Sequence, residues 1–250
     1  QSSKTVVIAG GAKVSDKIKV LKQFVQSGVK AIFIGGKMAN TFLIAQKTKT
    51  KMIPFKLSDI PRTLLSSSAE NNQNLVNEVS LAGEILDFAN DKKINLILPD
   101  DYKCVDSFNA PTFFVESEPD FEKVLQLDLG PKTIENFKNT ILSDGIENVF
   151  WNGPLGAYDH PTSHDYAEGS LELAQLLFEE ALTNQKFSVV IGGGDSAAIL
   201  NKIGVNQLKN LIKRCIERQL ADPINRDLLS MEFPVDDNYV LWNYLASNFF

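Results

Sequence analysis

Glycine turns that carry lysines or a carboxylate are the parts of this sequence best suited to chemistry. The first runs from Gly10 to Lys17 and contains two glycines together with Lys13 and Lys17, four residues apart. Glycines let a backbone approach a ligand closely, and the two lysines would share one face of the turn that follows. Such a turn also occurs at plain strand-to-helix junctions. The segment is therefore a candidate anion site, and a purely structural turn is the alternative.

The most specific turn is Gly192-Gly193-Gly194-Asp195-Ser196. Three glycines that run into a helix start expose several backbone N–H groups, a geometry that binds anions. Asp195 could hold a hydrated Mg²⁺ that carries phosphate oxygens, and Ser196 could donate to a phosphate. The plainer alternative is that Asp195 only caps the helix.

Two further turns follow apolar runs in the same way. One has the sequence GGKM at 35–38, and the other has the sequence WNGPLG at 151–156. Either could be a purely structural turn. The dinucleotide pattern G-x-G-x-x-G and the P-loop pattern G-x-x-x-x-G-K-[ST] do not occur, so these two fingerprints are excluded.

These turns gain meaning from the strands that precede them. The predicted strands are Thr5–Ala9, Ala31–Ile34, Ile94–Leu98, Asn148–Trp151 and Phe187–Ile191. Segments with helical spacing separate most of them, which predicts right-handed crossovers and a mostly parallel sheet covered on both faces. We expect one three-layer α/β domain with a sheet of about six strands and with its ligands at the carboxyl ends of the strands.

The helices and the domain limits can also be predicted. Ser15 could cap a first helix, and helical periodicity continues over 74–90, 132–143 and 163–183. Residues 46–73 are polar and are interpreted as an excursion from the domain. Near Asn206 the alternation of strands and helices stops, so we place the domain at 1–205. A helix-like stretch and an aromatic tail follow over 206–250.

Charge is distributed unevenly along the chain. The net charge is −6, yet residues 1–53 contain ten lysines against the single acid Asp16. A lysine-rich segment around glycine turns suits an anionic ligand such as a polyphosphate, although it could also be a solvated helix face. A nucleic-acid surface is not expected, because the whole chain is acidic and aromatic residues do not interleave with the lysines.

Cysteine usage and hydropathy exclude other classes. Cys104 and Cys215 are the two cysteines and lie far apart in the sequence, which argues against a zinc site or a disulfide framework and fits a reducing compartment. No apolar run reaches the roughly 18 residues of a membrane span, so a span is not expected.

Five segments, taken in chain order, resemble the phosphoglycerate kinase family. They are GGAKVSDKI (10–18), IGGKMANTFL (34–43), LDLGPKTIENF (127–137), VFWNGPLGAYD (149–159) and FSVVIGGGDSAA (187–198). The resemblance implies the carboxyl-terminal, Rossmann-like half of this two-domain kinase, which binds MgATP or MgADP. The enzyme transfers a phosphoryl group between 1,3-bisphosphoglycerate and ADP in glycolysis, and a cytoplasmic location is implied, with an organelle as the alternative.

The resemblance also implies roles for single residues. Lys13 would accompany the phosphoryl group in transit, and Lys17 would hold nucleotide phosphates. Asn152 would contact the phosphate chain, Asp195 would bind magnesium, and Ser196 would contact a phosphate. No protein nucleophile is needed, because positioning and charge neutralisation do the work.

Other positions would bind the rest of the nucleotide. Gly11, Gly35 and Leu127 match positions of the adenine pocket. Asp159 stands where the family usually has Glu on the ribose hydroxyls, so a shorter reach is implied. The amides of Gly193 and Gly194 would lie beside the phosphate.

The sequence also departs from the family. Lys37 and Gln126 replace glycines and would crowd or repolarise the adenine pocket. The sequence after Val205 does not resemble the final glycine loop of the family, and no segment of these 250 residues resembles the half that binds phosphoglycerate. The isolated chain is therefore expected to bind nucleotide but to be inactive, and phosphoglycerate should bind only with the missing half.

Two alternatives to an active kinase remain open. The chain could be a catalytically inactive relative with a structural or interaction role, or a module that senses nucleotide without transferring phosphate. Aromatic residues concentrate near the end of the chain, which is typical of contact surfaces. We therefore expect residues 231–250 to pack against another polypeptide, whereas packing against the domain itself is the plainer possibility.

Overall fold

The structure, a computed structural model, describes residues 4–48, 68–107, 110–116, 125–159, 166–184 and 186–193, together with Ser196. The strands are β1 (Thr5–Ala9), β2 (Ala31–Ile34), β3 (Asn95–Ile97), β4 (Asp101–Val105), β5 (Phe113–Glu116), β6 (Leu125–Leu129), β7 (Asn148–Asn152) and β8 (Ser188–Gly192). The helices are α1 (Ile18–Ser27), α2 (Lys37–Thr48), α3 (Ala69–Asp91), α4 (Pro131–Ile141) and α5 (Glu168–Phe178), and α5 continues into a π-helical turn at Glu179–Thr183.

Five parallel strands form the main sheet, in the order β3-β2-β1-β7-β8. β1 lies at the centre and pairs with β2 on one side and with β7 on the other. The strand order therefore reverses between β1 and β7, which is where open α/β sheets bind their ligands. Each predicted strand is present to within one residue at each end, and the three-layer α/β prediction is confirmed with five described strands.

Helices cover the main sheet on both faces. One apolar cluster joins the sheet to α1, α2 and α3 and includes Val7 and Ile32. The other joins the sheet to α4 and α5 and includes Ile8 and Phe33. Because successive strand residues point to opposite faces, a strand covered on both faces is apolar throughout. This is why the runs of β1 and β2 could be found in the sequence.

A second sheet and one helix were not predicted. The second sheet is antiparallel, with the order β5-β4-β6. Its strands contain buried charged residues, namely Asp101, Lys103 and Asp128, and charged residues obscure the apolar pattern of a strand. Helix α2 was missed because it begins directly after a glycine turn and extends into the segment that was interpreted as an excursion.

Asp101 on β4 determines where α4 begins. Its carboxylate accepts hydrogen bonds from the backbone N–H groups of Lys132 (3.1 Å) and Thr133 (2.8 Å) in the first turn of α4. A carboxylate in this place also interacts favourably with the positive end of the helix dipole. Gly130 leaves the necessary space, because a Cβ there would lie 2.2 Å from Cγ of Asp101.

Asp128 ties β6 to the start of α5. It is buried, and its carboxylate accepts hydrogen bonds from the backbone N–H groups of Gly169 (2.8 Å) and Leu129 (2.9 Å). Burial raises the pKa of Asp128 to about 7, against the opposing effect of these hydrogen bonds and of the charge on Lys103. Lys103 is also buried and donates to Glu168, the residue before Gly169, at 2.7 Å. One buried cluster therefore holds the start of α5.

The expectation that Ser15 caps the first helix is wrong. Helix α1 begins at Ile18, with Lys17 in the cap position and no side-chain cap. Residues 14–17 form a turn in which the N–H of Lys17 donates to the carbonyl of Val14 at 2.9 Å. The N–H of Ser15 donates instead to the carboxylate of Glu78 on α3, at 3.0 Å.

Other predictions lie wholly or partly outside the described residues. Of the predicted excursion, 46–48 end α2 and 69–73 begin α3, whereas 49–67 lie outside. The predicted helix-like stretch and aromatic tail over 206–250 also lie outside. None of the helices that the structure describes is both long and apolar enough to cross a membrane.

Replacing Asp128 by Asn should change how stability depends on pH. A carboxyl whose pKa rises on folding from 3.8 to about 7 stabilises the folded state fully below about pH 4, and this contribution is lost as the pH rises through 7. The free energy of unfolding, measured with urea between about pH 5 and 7, should therefore fall more steeply for the wild type than for Asp128→Asn, by at most about 1.4 kcal/mol per pH unit.

Asp144→Asn is the matched control, because it removes an exposed carboxylate and should keep the wild-type slope. Equal slopes for the wild type and Asp128→Asn would contradict the raised pKa.

Candidate functional site

Backbone hydrogen bonds connect the glycine turns at the carboxyl edge of the main sheet to one another. After β1, the N–H of Gly10 donates to the carbonyl of Asn152 at 2.9 Å. After β2, the N–H of Gly36 donates to the carbonyl of Leu155 at 3.0 Å. The loop after β7, residues 152–156, therefore contacts the turns after both β1 and β2.

These contacts leave no space for side chains. A Cβ on Gly10 would lie 2.0 Å from the carbonyl oxygen of Pro154, and a Cβ on Gly153 would lie 2.3 Å from the carbonyl oxygen of Gly10. A Cβ on Gly36 would lie 2.7 Å from backbone atoms of Gly11 and Pro154, and Gly36 also has a φ of 65°. Because backbone atoms cannot move aside as the end of a flexible side chain can, these positions require glycine.

The amides of the first two turns are used within the protein. Gly10 donates to Asn152, Gly11 donates to Pro154 at 2.9 Å, and Gly35 donates to Ala9 at 2.8 Å. These glycines therefore bring the backbone close to the crevice and fix the loops, while their N–H groups are already bonded to carbonyls.

Lys17 and Asn152 are brought together at this edge although they lie far apart in the sequence. The ammonium group of Lys17 donates to Oδ1 of Asn152, and this bond is partly buried. Gly11 lies alongside, since a Cβ there would come within 3.7 Å of Cε of Lys17. A Cβ on Gly193 would lie 3.5 Å from Oδ1 of Asn152. Four residues that the sequence predicts to bind phosphate or nucleotide therefore meet around one side-chain hydrogen bond.

Ser196 braces the loop after β7. It is buried, and its Oγ accepts a hydrogen bond from the N–H of Gly153 at 2.7 Å. The hydroxyl hydrogen of Ser196 still provides a donor. Gly194 and Asp195 precede Ser196 but lie outside the described residues, so their roles stay predictions.

Lys13 and Asp159 lie at the surface. Both are exposed, as is Lys37 at the first position of α2. Within the described residues, neither Lys13 nor Asp159 makes a hydrogen bond or an ion pair with another predicted site residue. The positive charges of Lys13 and Lys37 border the glycine turns without being fixed by them.

The positions predicted for the base pocket are joined by the loop after β7. Leu127 on β6 is buried, and its carbonyl accepts a hydrogen bond from the N–H of Ala157 at 2.7 Å. Close to Ala157 in the same loop, Leu155 contacts the second position, since a Cβ on Gly35 would lie 2.4 Å from Cδ2 of Leu155. Leu127 and Gly35 therefore border the same loop from two sides.

Gln126 has a property that the sequence analysis missed. Both polar atoms of its amide are buried and have no hydrogen-bond partner among the described residues, and the same is true of Oδ1 of Asn40 on α2. Leaving a buried polar group without a partner costs about 1–3 kcal/mol. The sequence indicated that Gln126 would crowd or repolarise the adenine pocket. A polar side chain next to Leu127, a predicted pocket residue, also suggests a group that recognises a ligand.

The arrangement suits an anion with an attached organic group. Lys17, Asn152 and the exposed Lys13 offer positive charge and hydrogen-bond donors where the strand order reverses. Phosphoryl transfer asks for such positioning and charge neutralisation rather than for a protein nucleophile. Mg²⁺ would arrive with the phosphates as part of the substrate, and Asp195 stays its predicted protein ligand.

Comparison with known proteins identifies the family. The sequence model for "Phosphoglycerate kinase" matches residues 1–212. The phosphoglycerate kinase of Oenococcus oeni is 38% identical over 203 residues, which are 80% of this chain and 42% of that protein. The phosphoglycerate kinase of Plasmodium falciparum is 35% identical over 200 residues, which are 79% of this chain and 42% of that protein. The chain thus spans about two fifths of the length of the curated relatives it matches.

Two solved structures have the same fold. Phosphoglycerate kinase from Coxiella burnetii gives a TM-score of 0.60 at 23% identity, over 86% of this chain and 52% of that one. Phosphoglycerate kinase from Pyrococcus horikoshii gives 0.60 at 23% identity, over 82% of this chain and 45% of that one. Because the family match extends over most of the sequence and both curated relatives are more than a third identical to it, this chain belongs to the phosphoglycerate kinase family, as its five motifs predicted.

Proposed function

We propose that this chain provides the half of a phosphoglycerate kinase that binds MgATP or MgADP. The whole enzyme would transfer a phosphoryl group between the nucleotide and (bis)phosphoglycerate in glycolysis. The observation that carries this proposal is the hydrogen bond between Lys17 and Asn152, which is flanked by Gly11 and Gly193 at the carboxyl edge of the sheet. A strand-order reversal lined by glycine turns and an ammonium group is well suited to a polyphosphate.

Lys17 and Lys13 have different surroundings, and we assign them different roles on that basis. Lys17 is held by Asn152, so its charge is already at the edge of the crevice before a phosphate binds. Lys13 is exposed and unfixed, which suits a residue that follows a phosphoryl group as it moves. The charge on Lys17 is preorganised, and preorganised charge lowers the barrier because it needs no rearrangement as the reaction proceeds.

Phosphoglycerate is proposed to bind to the part of full-length family members that this chain does not span. The isolated 250-residue chain should therefore bind nucleotide without turning it over. The proposal also includes a cytoplasmic or organellar location. It further includes a protein partner that binds residues 231–250, which lie outside the described residues.

An inactive relative is the second candidate, and Gln126 favours it. If the buried amide of Gln126 fills the place of the base, the chain would keep the fold and lose the nucleotide. Calorimetry with ADP and Mg²⁺ separates the two candidates, because only the first predicts binding.

Asp195→Ala should weaken the binding of MgADP. Loss of a contact to a charged group costs about 1.5–3 kcal/mol, a fall in affinity of about tenfold or more. The measurement is titration calorimetry of wild type and variant at saturating Mg²⁺, repeated with a chelator, which should make the two alike. Equal affinities at saturating Mg²⁺ would show that Asp195 does not hold the metal.

Lys17→Ala and Lys13→Ala should have different effects. Lys17→Ala should lower ADP affinity by about tenfold, because Lys17 is the anchored charge. Lys13→Ala should lower ADP affinity less, yet it should abolish turnover in a polypeptide that also contains the other half, since its charge acts mainly in the transition state. Lys19→Ala, an exposed lysine on α1, is the control and should change neither. Equal losses of binding and rate for Lys13→Ala would make it a second anchor.

Two substitutions of Gln126 distinguish a group that recognises the base from an obstruction. If its amide bonds the base, Gln126→Leu should weaken ADP binding by about tenfold and reduce the preference for ADP over inosine diphosphate. If Gln126 instead occupies the pocket, Gln126→Gly should strengthen ADP binding. Gln23→Leu on α1 is the control for a lost amide, and an unchanged preference in Gln126→Leu would rule out contact with the base.

A further inference from the structure

One face of the main sheet is partly uncovered by the described residues. Phe150 on β7 and Val190 on β8 are paired in register, so their side chains lie next to each other on the same face. Phe150 contacts Phe24 of α1, with ring centroids 4.9 Å apart, which identifies this as the face that α1, α2 and α3 cover elsewhere. Val190 is 58% exposed on it.

A groove next to Val190 extends the uncovered surface. It has a volume of about 570 Å³. Its lining is formed by Val20, Gln23, Phe24, Gln26, Ser27 and Phe150. Strands of a parallel sheet are normally covered on both faces. The exposed side chain of Val190 next to the ring of Phe150 therefore indicates that another element covers β7 and β8.

The same chain contains a segment with a suitable pattern, after the last described residue. Its apolar positions follow the spacing i, i+3, i+4, i+7, i+8 of one helix face: Leu208, Leu211, Ile212, Cys215 and Ile216. Its opposite positions are mostly basic: Lys209, Lys213, Arg214 and Arg218. Asn206 lies 14 residues beyond Gly192, the end of β8, and a linker of that length spans roughly 20 Å even as a helix.

We propose that residues 206–220 form an amphipathic helix whose apolar face covers Val190 and Phe150 and fills the groove beside α1. A helix of this length measures about 22 Å, and the strands it would cover measure about 17 Å. The tether to β8 favours this segment over a second copy or another protein, because a short linker gives the attached partner a millimolar effective concentration.

Cys215 makes the proposal testable without an added probe, because it lies on the predicted apolar face. The sequence has one other cysteine, Cys104. Cys104 is fully buried, and this burial raises the pKa of its thiol to about 11. In the native wild type both thiols should react slowly with a maleimide, with each site followed by peptide mass spectrometry. Val190→Asp should speed the reaction of Cys215 by about tenfold or more and leave Cys104 slow.

Phe114→Asp, on the second sheet, is the matched control for an exposed apolar strand residue. Phe114 is an apolar side chain on β5 that is 57% exposed, and its replacement should leave Cys215 slow. On the segment itself, Ile212→Asp should expose Cys215, whereas Lys213→Asp on the opposite face should not. A slow Cys104 reports that each variant is folded, and Val190→Ala replaces Val190→Asp if Cys104 becomes reactive.

Three results would overturn the proposal. Rapid labelling of Cys215 in the folded wild type would show that the segment is not docked. Protection that Val190→Asp and Ile212→Asp leave unchanged would place Cys215 elsewhere. Protection that depends on protein concentration, with a dimer in light scattering, would show that a second copy covers the groove.

Discussion

The loop after β7 is the constraint on which the carboxyl edge of this molecule depends. Its backbone lies against Gly10 and Gly36 so closely that a single added carbon would overlap backbone atoms. The positions of the turns after β1 and β2 are therefore fixed relative to each other by main-chain contacts. Side chains such as Lys17 and Asn152 inherit this fixed geometry, which explains how residues distant in sequence meet at one hydrogen bond.

Several residues in the motifs of this chain stabilise the fold rather than contribute to the chemistry. In the segment LDLGPKT (127–133), Gly130 makes room for Asp101, which caps α4, and Asp128 holds the start of α5. Buried carboxylates of this kind are costly to desolvate, and their hydrogen bonds to helix starts offset part of that cost. In this chain these residues therefore hold the architecture together.

The sequence predicted the main sheet well because the physical cause is local. Strands covered on both faces need uninterrupted apolar runs, and β1 and β2 have them. The small sheet could not be predicted in this way, since Asp101, Lys103 and Asp128 each have a hydrogen-bond partner far along the chain that the local sequence does not reveal.

The sequence indicated some of the residues that meet at the candidate site. Residue types pointed to Lys17 and Gly193, the family resemblance pointed to Asn152, and the fold brings the three together. The buried amide of Gln126 became visible only in three dimensions, because whether a polar group has a partner depends on what surrounds it. The same is true of the start of α1, where a contact between Ser15 and Glu78 replaces a local cap.

The backbone N–H groups of the glycine turns donate to carbonyls within the protein, and this affects how the carboxyl edge of the sheet can bind an anion. Gly10, Gly11, Gly35 and Gly36 donate to carbonyls, so the attraction near these turns comes mainly from ammonium groups. An ammonium group is a compact point charge without the fixed fork of a guanidinium group. It therefore attracts a phosphate from many directions, and exposed charges of this kind are screened over about 8 Å at physiological ionic strength. Such a surface attracts an anion without fixing its orientation.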